Sequence, residues 1–258
     1  RALANAHVRL CERISRGQAP TSSRGIPIMD ALQQEILDMG KRARKAALAL
    51  ANLTTAQKNA ILLSMADGLV TCQAAILEAN TKDLKAAEEN GLNTAMIDRL
   101  RLDAPRIEAI ADGIRQVAAL PDPVGETLDE WDRPTGIHIV KKRVPIGVIG
   151  IVYESRPNVT SDAAVLCFKS GNATILRGGK EAIHSNGAIA DALDFGGREA
   201  GMPEGAIQLI RTPDRATVRY LSEMDQYLDL IIPRGGKGLI ETVVSLARMP
   251  VIKHYDGI

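Results

Sequence analysis

From Asp30 to about Ala119, apolar residues recur every three or four positions. Leu32, Ile36, Met39, Ala43, Ala46 and Leu50 fall on one face of a helix. Asp30 with Gln33 predicts a capping box at the start of that helix, and Thr54 with Gln57 repeats the signal before Ile61, Met65 and Leu69. A third helical stretch runs to Asn90, where Gly91 supplies the stop. Another helix begins near Asp103-Ala104-Pro105, with proline in its first turn. Pro121-Asp122-Pro123 closes this helical part, residues 30–120.

The period then changes. Residues 126–131 and 136–144 are two extended runs around Asp132-Arg133-Pro134-Thr135, which predicts a β-hairpin over about 126–144. A hairpin of this length and polarity needs a partner sheet. From 145 onward, apolar runs at 146–152, 173–176, 206–210, 228–232 and 250–252 alternate with helical segments near 160–170, 181–200, 214–224 and 238–247. Such alternation specifies a parallel sheet covered on both faces, with ligands beyond the carboxyl ends of its strands. The expected fold class is α/β: a helical N-terminal segment, a β-hairpin, then a Rossmann-like parallel sheet over 145–258.

Composition narrows the function. The chain has 258 residues, 45% hydrophobic and 24% charged, which is too apolar for a disordered segment. No apolar run approaches the roughly 20 residues of a membrane span, so no membrane partner is expected. Lys plus Arg number 32 against 31 for Asp plus Glu, without the basic excess of a nucleic-acid binder. Seven aromatic residues also argue against base-stacking surfaces, so no nucleic-acid partner is expected.

Charge is unevenly spread. Residues 1–28 hold five arginines, no lysine and one acid, Glu12, whereas the rest carries 27 basic and 30 acidic residues. That composition fits a transit-type leader or a read-through upstream of Met29, outside the fold in either case. The end, Lys253-His254-Tyr255-Asp256-Gly257-Ile258, follows a strand-like run with no closing helix, and a fragment is expected. Cys11, Cys72 and Cys167 share no short spacing, which fits a reducing compartment and a cytoplasmic location. The four histidines are scattered, so no metal is expected.

Candidate chemistry sits in the loops after the strands. Tyr153-Glu154-Ser155-Arg156-Pro157-Asn158 follows the first, Arg177-Gly178-Gly179-Lys180 the second, and Pro233-Arg234-Gly235-Gly236-Lys237-Gly238 the fourth, opening a helix. Glycines admit a ligand to the backbone, and cations suit phosphate. Neither glycine loop is GxGxxG or a Walker loop, and either alone fits an ordinary strand-to-helix turn. Two at strand carboxyl ends in one sheet point to a phosphorylated dinucleotide.

Val144-Pro145-Ile146-Gly147-Val148-Ile149-Gly150-Ile151-Val152 runs into Tyr153–Thr160, then Lys169-Ser170-Gly171-Asn172-Ala173 and Leu176-Arg177-Gly178-Gly179-Lys180-Glu181. With Asp229-Leu230-Ile231-Ile232-Pro233-Arg234-Gly235-Gly236 and the Lys253–Gly257 end, these strings resemble the γ-glutamyl phosphate reductase family. That family, also called glutamate-5-semialdehyde dehydrogenase, is a branch of the aldehyde dehydrogenase superfamily. The resemblance covers about Met29 to Ile258.

It implies reduction of L-glutamyl 5-phosphate with NADPH to L-glutamate 5-semialdehyde and phosphate, a step of proline biosynthesis. A cysteine thiolate displaces phosphate to form a thioester, and hydride then releases the aldehyde. It further implies a homo-oligomer formed through the hairpin and glutamate 5-kinase as a partner. Another acylating aldehyde dehydrogenase, or a non-catalytic nucleotide-binding or scaffold fragment, is the alternative.

By the same resemblance Asn158 is the oxyanion donor, although the residues alone also allow it to cap the helix near Thr160. Tyr153, Glu154, Ser155 and Arg156 line the junction of coenzyme and substrate. Arg156 holds the acyl phosphate or the glutamate carboxylate, or else forms a surface ion pair. Arg177 stands where relatives carry a lysine on the adenosine ribose; with Lys180, beside Gly178 and Gly179, it is expected to read the 2′-phosphate. No acid precedes Glu181 to repel that phosphate, which favours NADPH over NADH. Arg234, Gly235 and Gly236 match the loop under the pyrophosphate.

The family's nucleophilic cysteine falls beyond Ile258, so the catalytic domain is expected to be missing and the chain inactive alone. Cys167, among Ala163, Ala164, Val165, Leu166 and Phe168, belongs to a buried helix, where a thiol is inert. Cys72 has the same profile, and Cys11 lies in the leader.

Overall fold

A computed structural model describes residues 30–154 and 156–253. The expectations for residues 1–28, for Ser155 and for 254–258 lie outside the described residues. The chain divides into a first unit, 1–35, described only over 30–35, and a second, 36–258, which carries the sheet and the candidate site.

Among the described residues five helices come first: α1 (Ala31–Leu50), α2 (Thr55–Thr71), α3 (Gln73–Glu89), α4 (Thr94–Leu100) and α5 (Ala104–Ala119). Asp30 accepts the Gln33 N–H, and Thr54 with Gln57 forms the reciprocal capping box. Gly91, at φ +69°, follows the end of α3 in the left-handed conformation that a side chain resists. Asp103 caps α5 by accepting the Arg106 N–H, and proline stands in its first turn. Helix α4 is absent from the sequence expectation. Its seven residues are too few to show a period, although Asn93 caps it by accepting the Met96 N–H.

The hairpin forms as expected, with β1 (Thr127–Asp132) antiparallel to β2 (His138–Lys142). Leu128, Trp131, Ile137 and Val140 on and beside it are exposed.

The parallel sheet has the order β5-β4-β3-β6, from β3 (Val148–Tyr153), β4 (Ala173–Arg177), β5 (Ile207–Leu209) and β6 (Leu230–Arg234). Strand β3 is buried along its whole length, the pattern of a strand covered on both faces. Residues 250–252 make no strand: Val251 forms a single parallel bridge to Ile231, a correction to the sequence reading.

The connecting helices are α6 (Pro157–Lys169), α7 (Ile183–Glu199, after a 3-10 turn over Lys180–Ala182), α8 (Ala216–Ser222) and α9 (Lys237–Leu246). Alternation along β3 sorts them by face. The bare face of Gly150 looks at Leu221 of α8, whereas Tyr153, of opposite parity, reaches Thr160 of α6. Helices α6 and α8 therefore cover opposite faces, and α7, α2 and α5 stack on the α6 side.

Two polar devices fix the helical part to the sheet. The Asp229 carboxylate takes both Nη1 and Nη2 of Arg44 (2.7 and 3.0 Å) and the Val148 N–H (2.8 Å), joining α1 to the starts of β3 and β6. Lys58 of α2 meets Asp122 at 2.5 Å with both side chains buried, while Lys169 donates to Asn59 and to the Ala118 carbonyl.

Candidate functional site

The carboxyl end of β3 is held from beneath. Thr160 gives its hydroxyl proton to Asn186 Oδ1 (2.9 Å), so the buried Tyr153 hydroxyl donates to Thr160 Oγ1 (2.6 Å). Burial pushes the Tyr153 phenol well above its ordinary value and keeps it protonated. A Cβ at Gly178 would collide with Asn186 and come within 3.1 Å of the Tyr153 ring, so only glycine lets the β4 loop close over this relay.

Helix α6 begins at Pro157, three residues earlier than the sequence suggested. Its N-cap is Arg156, which lends no side-chain bond, so the reading of Asn158 as the helix cap is excluded. The Asn158 amide instead donates to Asp162 Oδ2 at 3.0 Å, one turn on. An amide nitrogen carries two protons, so one remains for another acceptor. The Arg234 charge, at the end of β6, acts on Asp162 and brings that strand end into the same group. Tyr153, Glu154, Arg156, Asn158, Asp162 and Arg234 all line one cavity of about 870 Å³ between β3, β6, α5 and α6.

Sequence reasoning missed Arg99, on α4, which lines this cavity and a neighbouring one of about 430 Å³ that also touches Asn158. Arg106 clamps α4 by donating to the Asp98 and Arg101 carbonyls, 2.7 Å each. The Asn93 cap was the one signal in the sequence that could have revealed this helix.

The glycine turn after β6 closes the site from the other side. The Gly236 N–H, at the start of α9, donates to Glu154 Oε1 at 2.9 Å. A Cβ at Gly235 would lie 2.6 Å from Glu154 Cδ. A carboxylate oxygen thus rests on bare backbone at a helix N-terminus, a place whose N–H groups and dipole suit an anionic oxygen. By these donors the turn fits a dinucleotide phosphate. The start of α7, in contrast, is filled from within, because Asp83 takes the N–H groups of His184 and Ser185 and the Ser185 hydroxyl.

Arg177 is buried, at 9% exposure, and is turned into the protein rather than outward. Its Nη1 donates to the Gly178 carbonyl and its Nη2 to the Pro213 carbonyl, both at 3.1 Å. Gly179 leads into the 3-10 turn, and Lys180 at its start is exposed.

Of the two described cysteines, Cys167 is 6% exposed and its thiol is pushed up to about 11 by burial, slightly eased by Thr174. Cys72 departs from expectation: it is half-buried at the joint between α2 and α3 rather than inside a buried helix. Among the described residues no single helix is long and apolar enough to cross a membrane.

Residues 19–253 match the aldehyde dehydrogenase family. The γ-glutamyl phosphate reductase of Magnetococcus marinus is 57% identical over 221 residues, covering 86% of this chain and 52% of that protein. The enzyme of the same name from Geotalea daltonii is 53% identical over 225 residues, covering 87% of this chain and 54% of the other. The crystal structure of γ-glutamyl phosphate reductase from Thermotoga maritima superposes with a TM-score of 0.82 at 43% identity, over 84% of this chain and 52% of that one. The chain spans about half the length of these relatives. A parallel sheet with a phosphate-suited turn at its carboxyl edge and an amide-bearing helix start beside it accord with this match over most of its length, by which the chain belongs to the aldehyde dehydrogenase family.

Proposed function

We propose that this chain is the coenzyme-binding part of an enzyme that reduces L-glutamyl 5-phosphate with NADPH, giving L-glutamate 5-semialdehyde and phosphate. The observation that carries the reading is the Gly235-Gly236 turn, whose backbone N–H already holds a carboxylate oxygen beside the residue that would stabilise an oxyanion. The names of the relatives supply the substrate.

In this reading the Gly236 N–H and the N-terminus of α9 receive the coenzyme pyrophosphate, and Glu154 moves aside. Arg234, Gly178, Gly179 and Lys180 border the rest of the dinucleotide, with Arg177 and Tyr153 shaping the floor. NADPH, when bound, supplies hydride. Arg156 holds the acyl phosphate or carboxylate of the substrate, the group to which Ser155, its neighbour in the sequence, is also assigned. Asn158 gives its remaining N–H to the acyl oxygen as that oxygen becomes negative, while Asp162 fixes the plane of the amide. Neither described cysteine serves as the nucleophile: at neutral pH the Cys167 thiol is protonated and covered, and Cys72, at the joint of α2 and α3, lines neither cavity. The thiolate comes from outside the described residues. The exposed hairpin is the surface for self-association.

The test is a fluorescence titration of the 258-residue chain with NADPH and NADH. Saturable binding that favours NADPH is expected; absence of binding by either coenzyme would overturn the reading.

A further inference from the structure

The loops leaving β4 and β5 meet at Arg177, whose guanidinium bridges the carbonyls of Gly178 and Pro213 while Nε points at Thr217 Oγ1, 3.4 Å away. With Nη1, Nη2 and Nε each turned to a protein acceptor and the residue buried, the Arg177 guanidinium has little left to offer a phosphate above the loops. The residue that braces the loops is then a poor reader of what lies above them.

Pro213 and Thr217 both touch Arg177, and Arg215 lies midway between them at the N-cap of α8. The turn is tight: Thr217 donates its hydroxyl to the Asp214 carbonyl (2.6 Å), and Asp214 Oδ1 accepts the Ala216 N–H (2.8 Å). The charges of Arg215, Asp214 and Glu181 all act on Arg177, so these side chains share one neighbourhood. Asp214 already serves its own turn through that bond. Arg215 is exposed; its carbonyl accepts the Val218 N–H, but its guanidinium makes no hydrogen bond or ion pair among the described residues. Lys180, on the β4 loop, is likewise exposed.

We infer that Arg215, with Lys180, selects a dinucleotide carrying a 2′-phosphate, and that Arg177 braces the two loops that present them. The assignment rests on the coenzyme site proposed above and adds a residue that the glycine-loop pattern does not point to. An exposed arginine can turn its whole fork toward an incoming phosphate, whereas Arg177 has most of its donors committed.

The experiment is calorimetric titration of the 258-residue chain with NADP+ and NAD+, comparing wild type with Arg215→Gln and Arg215→Lys. Arg215→Gln should weaken NADP+ by about 10- to 100-fold, the loss expected for charge-assisted hydrogen bonds, and leave NAD+ within about threefold. Arg215→Lys, which keeps the charge without the fork, should retain part of the preference. Because Arg215 is exposed, the thermal midpoint should not move. Equal losses for both coenzymes, or no loss for either while wild type prefers NADP+, would overturn the assignment alone. A wild-type chain that binds neither coenzyme would overturn the underlying reading and the assignment together.

Discussion

Cys167 shows how environment, rather than residue type, decides chemistry. Its sulfur, on α6, lies against Thr174 of β4, and removal from water penalises the thiolate enough to lift the thiol to about 11. Only the thiolate reacts, so iodoacetamide at pH 8 should modify Cys72 and leave Cys167 intact in the native chain, with both modified in urea. Peptide mass spectrometry after a timed quench reads this directly. Native labelling of Cys167 at a rate matching Cys72 would reopen it as a nucleophile. The burial of Cys167 was readable from its apolar neighbours. The inward turn of Arg177 was not, because its acceptors are backbone carbonyls, one of them 36 residues away, and a carbonyl has no signature in a sequence.

Elements are joined here by charges taken out of water. Lys58 on α2, Asp122 after α5 and Lys169 at the end of α6 form a buried group, with Thr55 Oγ1 and the Val124 N–H also serving Asp122. Burial opposes the Asp122 carboxylate, yet the Lys58 hydrogen bond, the Val124 N–H and Thr55 together hold it below its ordinary value. A depressed carboxyl contributes stability that is present above the unfolded value of about 4 and lost as pH falls through the folded value. Lys58→Met strands the carboxylate and should cost about 3–5 kcal/mol at pH 7, by urea unfolding. That deficit should shrink below pH 4, where the unpaired acid can protonate; an unchanged deficit there would show that packing, not charge, is what was lost. Helix starts were the most legible elements, since caps such as Thr54 and Asp103 are local. Helix α4 and the bridge at Val251 were misread because each is too short for its period to register.

At the scale of the molecule, Asp229 ties the first helix to the sheet. It serves Arg44 twice and the Val148 N–H once, across 185 and 81 residues of chain. Asp229→Ala should lower stability by about 1–3 kcal/mol, because it orphans both an arginine and a backbone donor. Arg44→Ala should cost less, since the Val148 N–H keeps its acceptor. The reverse order in urea unfolding would mean that the helix contact, rather than the strand start, dominates. The layered α/β order was legible from alternating apolar runs, but long-range tethers of this kind were not, because nothing local distinguishes Asp229 from a surface acid.

On the coenzyme site proposed above, the relay of Tyr153, Thr160 and Asn186 has a consequence for how the molecule would measure what it binds. It fastens β3, α6 and α7 together below the site, and Asn186 also abuts Gly178. Asn158 stands on one of these elements and the basic loop after β4 borders another. The spacing between the two is therefore set when the chain folds, and its entropy is lost once rather than at every encounter. The three hydroxyl and amide groups act as a fixed gauge: a guest long enough to reach both marks gains from both, and a shorter one must forgo an end.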